Sequence, residues 1–254
     1  MSVKQVLLHG DYREALSDIN DCDLIFTSPP YNIGSKSEKK IGGRKIGGYD
    51  AKNFQAIRDY PDSLNEEEYQ QQQVEFIVWC SERLKDTGVL VYNHMNRRKN
   101  GKLITPLSWI LKQDELFPID EITWDKGSTH NHCNRFTYKQ SEKIYILAKT
   151  NKYYFKNKDL LGGNKGIGDV LRVSRETGNR HNAPFPLALA EQIISIWSPP
   201  GGLVCDPYSG SGTVMRACRI LDRSFVGSER LRKYYNLSMK KMKETRNDCV
   251  VGKR

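Results

Sequence analysis

The residues with the clearest capacity for chemistry form one short segment, Thr27-Ser28-Pro29-Pro30-Tyr31-Asn32. The apolar run just before it predicts the end of a buried parallel strand. Two prolines fix φ near about −65° and end the strand, and Pro29 keeps Ser28 out of helical conformations. We therefore expect a rigid turn at the carboxyl end of a strand, where open α/β sheets bind their ligands. The Ser28 hydroxyl, rigid carbonyls and the Tyr31 ring would suit a flat, hydrogen-bonding group, although an ordinary loop could share this sequence.

A second segment of this kind is Leu203-Val204-Cys205-Asp206-Pro207-Tyr208-Ser209-Gly210-Ser211-Gly212-Thr213, near the end of the chain. An apolar strand, an acid and a glycine-rich turn precede an amphipathic stretch over residues 214–221. This order is typical of nucleotide-binding sites, because glycines let the backbone approach a ligand closely. No Gly-Lys-Ser/Thr follows, so a phosphate-binding P-loop is not supported. Glu229 ends the next predicted strand, where carboxylates commonly accept hydrogen bonds from ribose hydroxyls.

Taken together, the two segments resemble the motifs of S-adenosylmethionine-dependent DNA amino-methyltransferases, whose catalytic signature is Ser/Asp/Asn-Pro-Pro-Tyr. The catalytic motif comes first in this chain and the cofactor motif last, an order similar to that of the permuted beta class. The resemblance implies an α/β fold, Rossmann-like, with a mostly parallel central sheet and helices on both faces. It also implies S-adenosyl-L-methionine as cofactor, double-stranded DNA as substrate and a cognate restriction endonuclease as a candidate partner of a monomer or homodimer.

The resemblance also implies roles for individual residues. The catalytic residues would be Ser28, Pro29, Pro30 and Tyr31. The cofactor-binding residues would be Asp11, His181, Asn182, Phe185, Asp206, Pro207, Tyr208, Ser209, Gly210, Ser211, Gly212, Thr213 and Glu229. Asp11 is at least as well suited to cap a helix, Phe185 could instead staple one, and Asn182 replaces the proline usual in the family.

Further predicted elements must position these segments. The sequence predicts strands over residues 6–8, 24–26, 89–92, 117–124, 142–149, 203–205 and 225–229. It predicts helices over residues 12–19, 65–85, 105–111, 187–197, 214–221 and 231–243. At 254 residues the chain fits a single catalytic domain, 1–254.

Two regions between these elements are candidates for DNA contact, at 33–62 and 127–180. The first is glycine-rich and basic, and loops of this length are usually functional or disordered. Basic side chains that would contact DNA phosphates are Lys36, Lys39, Lys40, Arg44, Lys45, Arg97 and Arg98. A solvated loop is the alternative for the first five, and a plain loop after a strand for the last two.

The composition also favours a polyanionic partner. Lys and Arg number 40 against 30 Asp and Glu, which gives a formal charge of +10, although a protein can be basic without binding nucleic acid. Cys205 and Cys218 fall in predicted core elements, so the cysteines suggest free thiols in a reducing cytoplasm. The sequence predicts neither a membrane span nor a signal peptide. His130, His132 and Cys133 match no standard zinc spacing, so no metal is expected.

The predicted reaction is direct methyl transfer to the exocyclic amine of a base flipped out of the duplex. Ser28 Oγ and the Pro29 carbonyl would accept the two amine N–H groups, and Tyr31 would stack on the base. Methylation of a ring carbon would need a Pro-Cys nucleophile, and no cysteine follows a proline. The resemblance favours cytosine N4 over adenine N6, although chemistry alone permits both. A non-catalytic nucleic-acid-binding protein would be expected to have damaged motifs.

Overall fold

The structure is a computed structural model that describes residues 3–32, 64–99, 101–127, 137, 140–156, 167–174 and 186–251. The strands are β1 (Gln5–His9), β2 (Cys22–Thr27), β3 (Leu84–His94), β4 (Arg97–Lys99), β5 (Lys102–Ile104), β6 (Phe117–Asp125), β7 (Ser141–Ala148), β8 (Val170–Arg172), β9 (Leu203–Asp206) and β10 (Ser224–Glu229). The helices are α1 (Tyr12–Ala15), α2 (Glu66–Arg83), α3 (Leu107–Ile110), α4 (Leu187–Trp197), α5 (Thr213–Ile220) and α6 (Arg232–Val251).

Eight of these strands form one sheet in the order β1-β10-β9-β2-β3-β7-β6-β8, and β4 and β5 form a separate hairpin. The strands from β1 to β3 along the sheet are parallel, β7 is antiparallel to both its neighbours, and β8 is parallel to β6. The predicted fold class is therefore confirmed. β2 lies directly beside β9, so the carboxyl ends of the strands that precede the two sequence motifs are neighbours.

The sheet carries a hydrophobic core on each face, because alternate residues of a strand point to opposite sides. In β2, Leu24 and Phe26 belong to the core beneath α4, α5 and α6, whereas Ile25 belongs to the core beneath α1, α2 and α3. Phe26 is fully buried, and its replacement by alanine would destabilise the fold by roughly 3–5 kcal/mol. The central strands are thus fixed from both sides, which gives the ends of β2 and β9 a rigid base.

Several elements differ in length from their predicted bounds. α1 is one turn only, because the turn-favouring residues 18–21 follow it and Asp21 has a positive φ of 57°. β3 begins at Leu84, earlier than predicted, because Leu84 already has an extended ψ of 144° at the end of α2. Four cysteines, Cys22, Cys80, Cys205 and Cys218, are buried free thiols. Among the described residues no helix is long and apolar enough to cross a membrane.

Candidate active site

The two sequence motifs meet through a buried hydrogen bond. Thr27, the last residue of β2, donates its hydroxyl to Asp206 Oδ1 at 2.9 Å across a sequence separation of 179 residues. The backbone N–H of Tyr208 donates to the same oxygen at 3.1 Å. Burial raises the pKa of Asp206 to about 7, and these two hydrogen bonds oppose the shift. Asp206 therefore ties the end of the catalytic strand to the glycine turn.

Glu229 fixes the glycine turn from the neighbouring strand. Its Oε2 accepts the Gly210 N–H at 2.9 Å, and its Oε1 accepts the Leu231 N–H at 2.6 Å. Ser209 Oγ and Ser211 Oγ are buried and have no hydrogen-bond partner among the described residues. Buried hydroxyl groups are normally hydrogen-bonded, so these two are suited to a ligand that brings donors and acceptors of its own. The turn thus fits a nucleoside-like cofactor.

The two glycines of the turn serve different purposes, although both have a positive φ, +52° at Gly210 and +77° at Gly212. A Cβ on Gly212 would lie 2.8 Å from Ser238 Oγ of α6, so close packing within the protein requires a glycine there. A Cβ on Gly210 would contact only the Tyr208 carbonyl oxygen, at 3.8 Å. Packing against Ser238 is thus a structural reason for a glycine at position 212. The close approach of a ligand, expected from sequence, remains a prediction for both glycines.

Other predicted cofactor residues make contacts within the protein. Asp11 Oδ1 accepts the Arg13 N–H at 3.1 Å and caps α1, so the capping alternative is confirmed. The Arg13 guanidinium hydrogen-bonds the same carboxylate and lowers its pKa. The Tyr208 ring packs against Tyr12, with ring centroids 5.3 Å apart. Pro207 belongs to the turn, and its carbonyl oxygen accepts the Ser228 hydroxyl at 2.9 Å. Thr213 is the first residue of α5. His181, Asn182 and Phe185 lie outside the described residues.

The catalytic turn is held by a network of side chains from other strands. Ser28 Oγ and the Tyr31 hydroxyl are 2.7 Å apart, and the Tyr31 hydroxyl donates to Glu142 Oε2 at 3.1 Å. Asn93 Nδ2, from the end of β3, donates to the Tyr31 oxygen at 2.6 Å and to Glu142 Oε2 at 2.9 Å. Burial, together with the nearby Glu142 charge, raises the pKa of Tyr31 well above its usual value. The tyrosine is thus held as a neutral phenol.

A buried ion pair lies behind this network. Lys126 Nζ donates to Glu142 Oε1 at 2.7 Å, and the two side chains are only 4% and 10% exposed. Lys126 follows β6 and Glu142 lies near the start of β7, and the antiparallel pairing of these strands brings them together. The sequence predictions did not assign a role to Lys126, Glu142 or Asn93. The available signal was a set of polar residues at the ends of predicted strands.

The backbone of the catalytic turn is supported from α2. The Tyr69 hydroxyl donates to the Pro30 carbonyl at 2.8 Å and is 2.7 Å from His94 Nε2. Asn32 has a positive φ of 51°, and its side chain bonds both the N–H and the carbonyl oxygen of Leu64. The His94 ring contacts the Tyr31 ring, with centroids 4.5 Å apart. The turn is therefore fixed on both sides of its prolines.

The structure corrects the DNA-binding prediction for Arg97. Its guanidinium is buried, donates to both carboxylate oxygens of Glu66 at 3.0 and 2.7 Å, and lies over the Tyr69 ring. Arg97 therefore anchors the β4–β5 hairpin to α2 and cannot reach a DNA phosphate. Arg98 is exposed, and it lines a cleft of about 350 Å³ together with Asn96, Leu103, Thr137, Gln140, Ser141, Glu142 and Lys143.

The remaining candidates for DNA contact in the first region are Lys36, Lys39, Lys40, Arg44 and Lys45, which lie outside the described residues. His130, His132 and Cys133 lie outside them as well. Among the residues that the structure describes, no group of three or more histidine, cysteine or acidic side chains is placed to hold a metal ion.

Comparisons with known proteins agree with this arrangement. Residues 22–240 match the N6/N4 methyltransferase family model, described as DNA methylase. The type II methyltransferase M2.MboI of Moraxella bovis is 29% identical over 241 residues, which cover 89% of this chain and 82% of that protein. M2.DpnII of Streptococcus pneumoniae is 26% identical over 255 residues, covering 94% of this chain and 90% of that one.

Solved structures show the same fold. The PvuII DNA methyltransferase, described as cytosine-N4-specific, superimposes with a TM-score of 0.73 at 18% identity and covers 99% of this chain and 95% of its own. A complex of M1.HpyAVI with SAM gives a TM-score of 0.66 at 23% identity, covering 93% of this chain and 98% of its own.

Proposed function

This chain belongs to the N6/N4 DNA methylase family, and on that premise we propose that it transfers a methyl group from S-adenosylmethionine to an exocyclic amino group of a base in DNA. The cofactor predicted from sequence is the one that this family uses. The observation that carries the proposal is the Thr27–Asp206 hydrogen bond, which joins the catalytic turn to the glycine turn at adjacent strand ends. A methyl donor bound at the glycine turn can thereby face a target amine bound at the catalytic turn.

The glycine turn supplies the cofactor site in this proposal. When bound, S-adenosylmethionine supplies a methyl group activated by a positively charged sulfur. Glu229 is placed at a strand end where it can accept hydrogen bonds from ribose hydroxyls, as carboxylates do in related α/β sheets. Ser209 and Ser211 offer buried hydroxyls that lack partners among the described residues, and Gly210 leaves room for close approach. Asp206 keeps the turn in register with the catalytic strand.

The catalytic turn holds the target amine in this proposal. An exocyclic amine is a poor nucleophile because its lone pair is delocalised into the ring. Ser28 Oγ and the Pro29 carbonyl can accept its two N–H groups as the nitrogen becomes tetrahedral. The target must leave the duplex to reach them, which costs a few kcal/mol, and stacking on the Tyr31 ring returns roughly 1–3 kcal/mol.

The base that carries the amine has two candidates. The Ser-Pro-Pro-Tyr turn resembles that of cytosine-N4 enzymes, and the PvuII enzyme of the same fold is described as cytosine-N4-specific. Taken together, however, the comparisons support adenine N6 better than cytosine N4. Both amines present two N–H donors, which Ser28 and Pro29 can accept equally well. The modified nucleoside therefore decides between the two bases.

We further propose that residues 1–254 form one catalytic domain whose regions 33–62 and 127–180 contact double-stranded DNA. Arg98 is the described basic residue that we assign to this surface, because it is exposed at the cleft that Glu142 lines. A cognate restriction endonuclease would be a functional partner, cutting the sites that this enzyme leaves unmethylated. Sedimentation of the chain distinguishes a monomer from a homodimer.

The proposed activity is tested by single-turnover methyl transfer to duplex DNA, followed by mass spectrometry of the nucleosides. Ser28→Ala removes one acceptor for the amine and should raise the barrier by about 2.7–4 kcal/mol, or roughly 10²–10³-fold in rate, by analogy with oxyanion-hole variants. The affinity for S-adenosylmethionine should not change, because Ser28 lies on the other turn. N4-methylcytosine or N6-methyladenine in the product identifies the base.

Ser17→Ala is the matched control, because Ser17 is an exposed serine whose hydroxyl donates to the neighbouring Asp18 carboxylate at 3.3 Å. It should transfer methyl at the parental rate. Parental transfer by Ser28→Ala would contradict the role of the catalytic turn, and a parent protein that methylates no DNA would contradict the proposed function as a whole.

A further inference from the structure

The hydrogen bonds of the catalytic turn favour one arrangement of protons. Ionised Glu142 can only accept hydrogen bonds, so the single Tyr31 proton must face Glu142 Oε2, 3.1 Å away. The Tyr31 oxygen is then an acceptor, and the Ser28 hydroxyl, 2.7 Å away, must donate to it. The proton of Ser28 therefore points into the protein. Asn93 Nδ2 approaches one lone pair of Ser28 Oγ at 3.4 Å, and the other lone pair remains for a donor from outside.

Asn93 supports the same arrangement. Its Nδ2 lies 2.6 Å from the Tyr31 oxygen and 2.9 Å from Glu142 Oε2, and both of these atoms are acceptors in the arrangement above. The opposite orientation of the amide would place Oδ1 against the carboxylate and is disfavoured by repulsion. Asn93 is fully buried, so water does not compete for these bonds. The amide thus fixes the Tyr31 oxygen as an acceptor.

Lys126 supplies the counter-charge of Glu142. Its ammonium group is 2.7 Å from Oε1, and both side chains are almost fully buried, so the pair is largely shielded from water. Glu142 also lines the surface cleft of about 350 Å³, through which a proton can pass to solvent. Among the described residues, the charged and titratable groups that face Glu142 or share its cleft are Lys126, Tyr31, Arg98 and Lys143, and His94 contacts the Tyr31 ring.

We propose that Glu142, paired with Lys126, is a positioning residue that sets the proton direction of the Glu142–Tyr31–Ser28 chain and finally receives the proton that the target amine loses. This inference rests on the proposed function. Its physical basis is that serine can either donate or accept, whereas an amine that donates its N–H groups needs an acceptor. The ionised Glu142 makes Ser28 that acceptor through Tyr31.

The chemical step balances along this chain. The amine nitrogen forms a bond to the methyl carbon as the carbon–sulfur bond breaks, and the electron pair of that bond remains on sulfur. The methylated nitrogen, now positively charged, gives one proton to Ser28 Oγ. Ser28 passes its own proton to Tyr31, and Tyr31 passes its proton to Glu142, which becomes a neutral carboxylic acid. Glu142 then releases the proton through the cleft.

The test compares the pH dependence of single-turnover methyl transfer in the parent and in Glu142→Gln. In the parent, the rate should fall towards acidic pH if the chain needs Glu142 Oε2 as the acceptor of the Tyr31 proton. Glu142→Gln should be slower by roughly 10²–10⁴-fold, the usual range for a lost proton acceptor, and should lose this acidic limb. DNA and cofactor affinities should not change, because the glutamine keeps the shape of the side chain. A parental rate with the acidic limb intact overturns the inference.

A second variant guards against loss of folding, since Glu142→Gln leaves Lys126 buried without its counter-charge. Lys126→Met combined with Glu142→Gln removes both charges, and it should fold, bind DNA and still lack the acidic limb. Glu121→Gln is the matched control, because Glu121 forms an exposed pair with Lys143 and should behave as the parent does. Recovery of the acidic limb in the double variant would contradict the role of Glu142.

A readout without DNA separates this inference from the proposed function. The carbon-13 signal of the Glu142 side-chain carboxyl, assigned by its absence from Glu142→Gln, should be that of a carboxylate at neutral pH. A protonated carboxyl would overturn the inference even if the parent methylates DNA. A carboxylate signal in a parent protein that methylates no DNA would support the charge pair and contradict the proposed function alone.

Discussion

The glycine turn and the catalytic turn lie side by side at one edge of the sheet, yet they are built differently. Residues 206–212 of the glycine turn are contiguous, and Asp206 and Glu229 hold them largely through backbone N–H groups. The catalytic turn is instead held by side chains from β3, β7 and the end of β6, including the buried Lys126–Glu142 ion pair. Backbone geometry therefore shapes the cofactor side, whereas paired charges set the proton state of the catalytic side.

This difference predicts different sensitivities. A site formed by backbone groups should respond most to changes in backbone conformation and to the titration of its buried acids. A site held by ion pairs should respond most to the removal of one charge, because the remaining charge is left buried. Variants of the glycine turn and of the catalytic turn can therefore test whether the two sites differ in this way.

The largest expected effect concerns Asp206 on the cofactor side. Burial raises its pKa from 3.8 to about 7, so between these values the folded protein binds a proton that the unfolded chain does not. The contribution of the protonated Asp206 carboxyl to the free energy of unfolding is fully present below about pH 4 and is lost as the pH rises through about 7. A shift of about three pKa units corresponds to about 4 kcal/mol, and Asp206→Asn should abolish this loss.

Urea denaturation of the cofactor-free protein between pH 4 and pH 8 measures this effect. The advantage of Asp206→Asn over the parent in free energy of unfolding should grow across the interval, since the asparagine can still accept from Thr27 and Tyr208. Asp114→Asn, at an exposed position, should run parallel to the parent. If the Asp206→Asn and parent curves are also parallel, Asp206 does not titrate in this interval. The cofactor side would then not be sensitive to the titration of this buried acid.

The next effect concerns adjacent arginines on the catalytic side. Arg97→Met leaves Glu66 without its buried counter-charge and should lower the free energy of unfolding by about 3 kcal/mol. This is the lower end of the usual range, because the Glu66 side chain is 20% exposed. Arg98→Met is the matched comparison, and its loss of stability should be smaller than that of Arg97→Met, because Arg98 is exposed and solvent screens its interactions.

DNA-binding measurements should rank the two arginines in the opposite order. Arg98→Met should weaken binding and reduce the dependence of log affinity on log salt concentration by about one unit, the value of one lost phosphate contact. Arg97→Met, measured where it remains folded, should leave that slope unchanged. A reduced slope in Arg97→Met would reinstate Arg97 as a DNA contact and contradict its role as an anchor.

The same contrast explains what the sequence could predict. The glycine turn was predicted because its acid, glycines and following helix are consecutive, so local chemistry determines its conformation. The catalytic turn was predicted because Pro29 and Pro30 impose a conformation locally. The sequence analysis did not predict that the strands before the two motifs are neighbours, which the pairing of β2 with β9 shows.

The supporting network could not be predicted in this way. Lys126 meets Glu142 only because β6 and β7 are antiparallel and paired in one register. Arg97 was interpreted as a DNA contact because it is basic and follows a strand, but Glu66, 31 residues earlier on α2, binds it. Gly212 was assigned to ligand approach, and its close packing against Ser238 on α6 was not apparent from the sequence. Each of these depends on contacts between distant segments, which a local pattern does not encode.

The smallest expected effect distinguishes the two glycines of the cofactor side. An alanine at either position must adopt a positive φ, which costs roughly 1–2 kcal/mol. Gly212→Ala must also displace Ser238, because its Cβ would lie 2.8 Å from Ser238 Oγ and 3.0 Å from Ser238 Cβ. Gly212→Ala should therefore lower the free energy of unfolding by about 1 kcal/mol more than Gly210→Ala does.

The affinity for S-adenosylmethionine, measured by calorimetry, should be lowered more by Gly210→Ala than by Gly212→Ala, the reverse of their order in stability. At Gly210 the protein leaves the space of a Cβ open, with only the Tyr208 carbonyl oxygen near it, at 3.8 Å. If that space is where the cofactor approaches the backbone, Gly210→Ala should lose more affinity than Gly212→Ala, measured at a temperature where both remain folded. Equal affinities would show that the cofactor does not approach Gly210, and the turn would then bind it through Glu229 and the two serine hydroxyls alone.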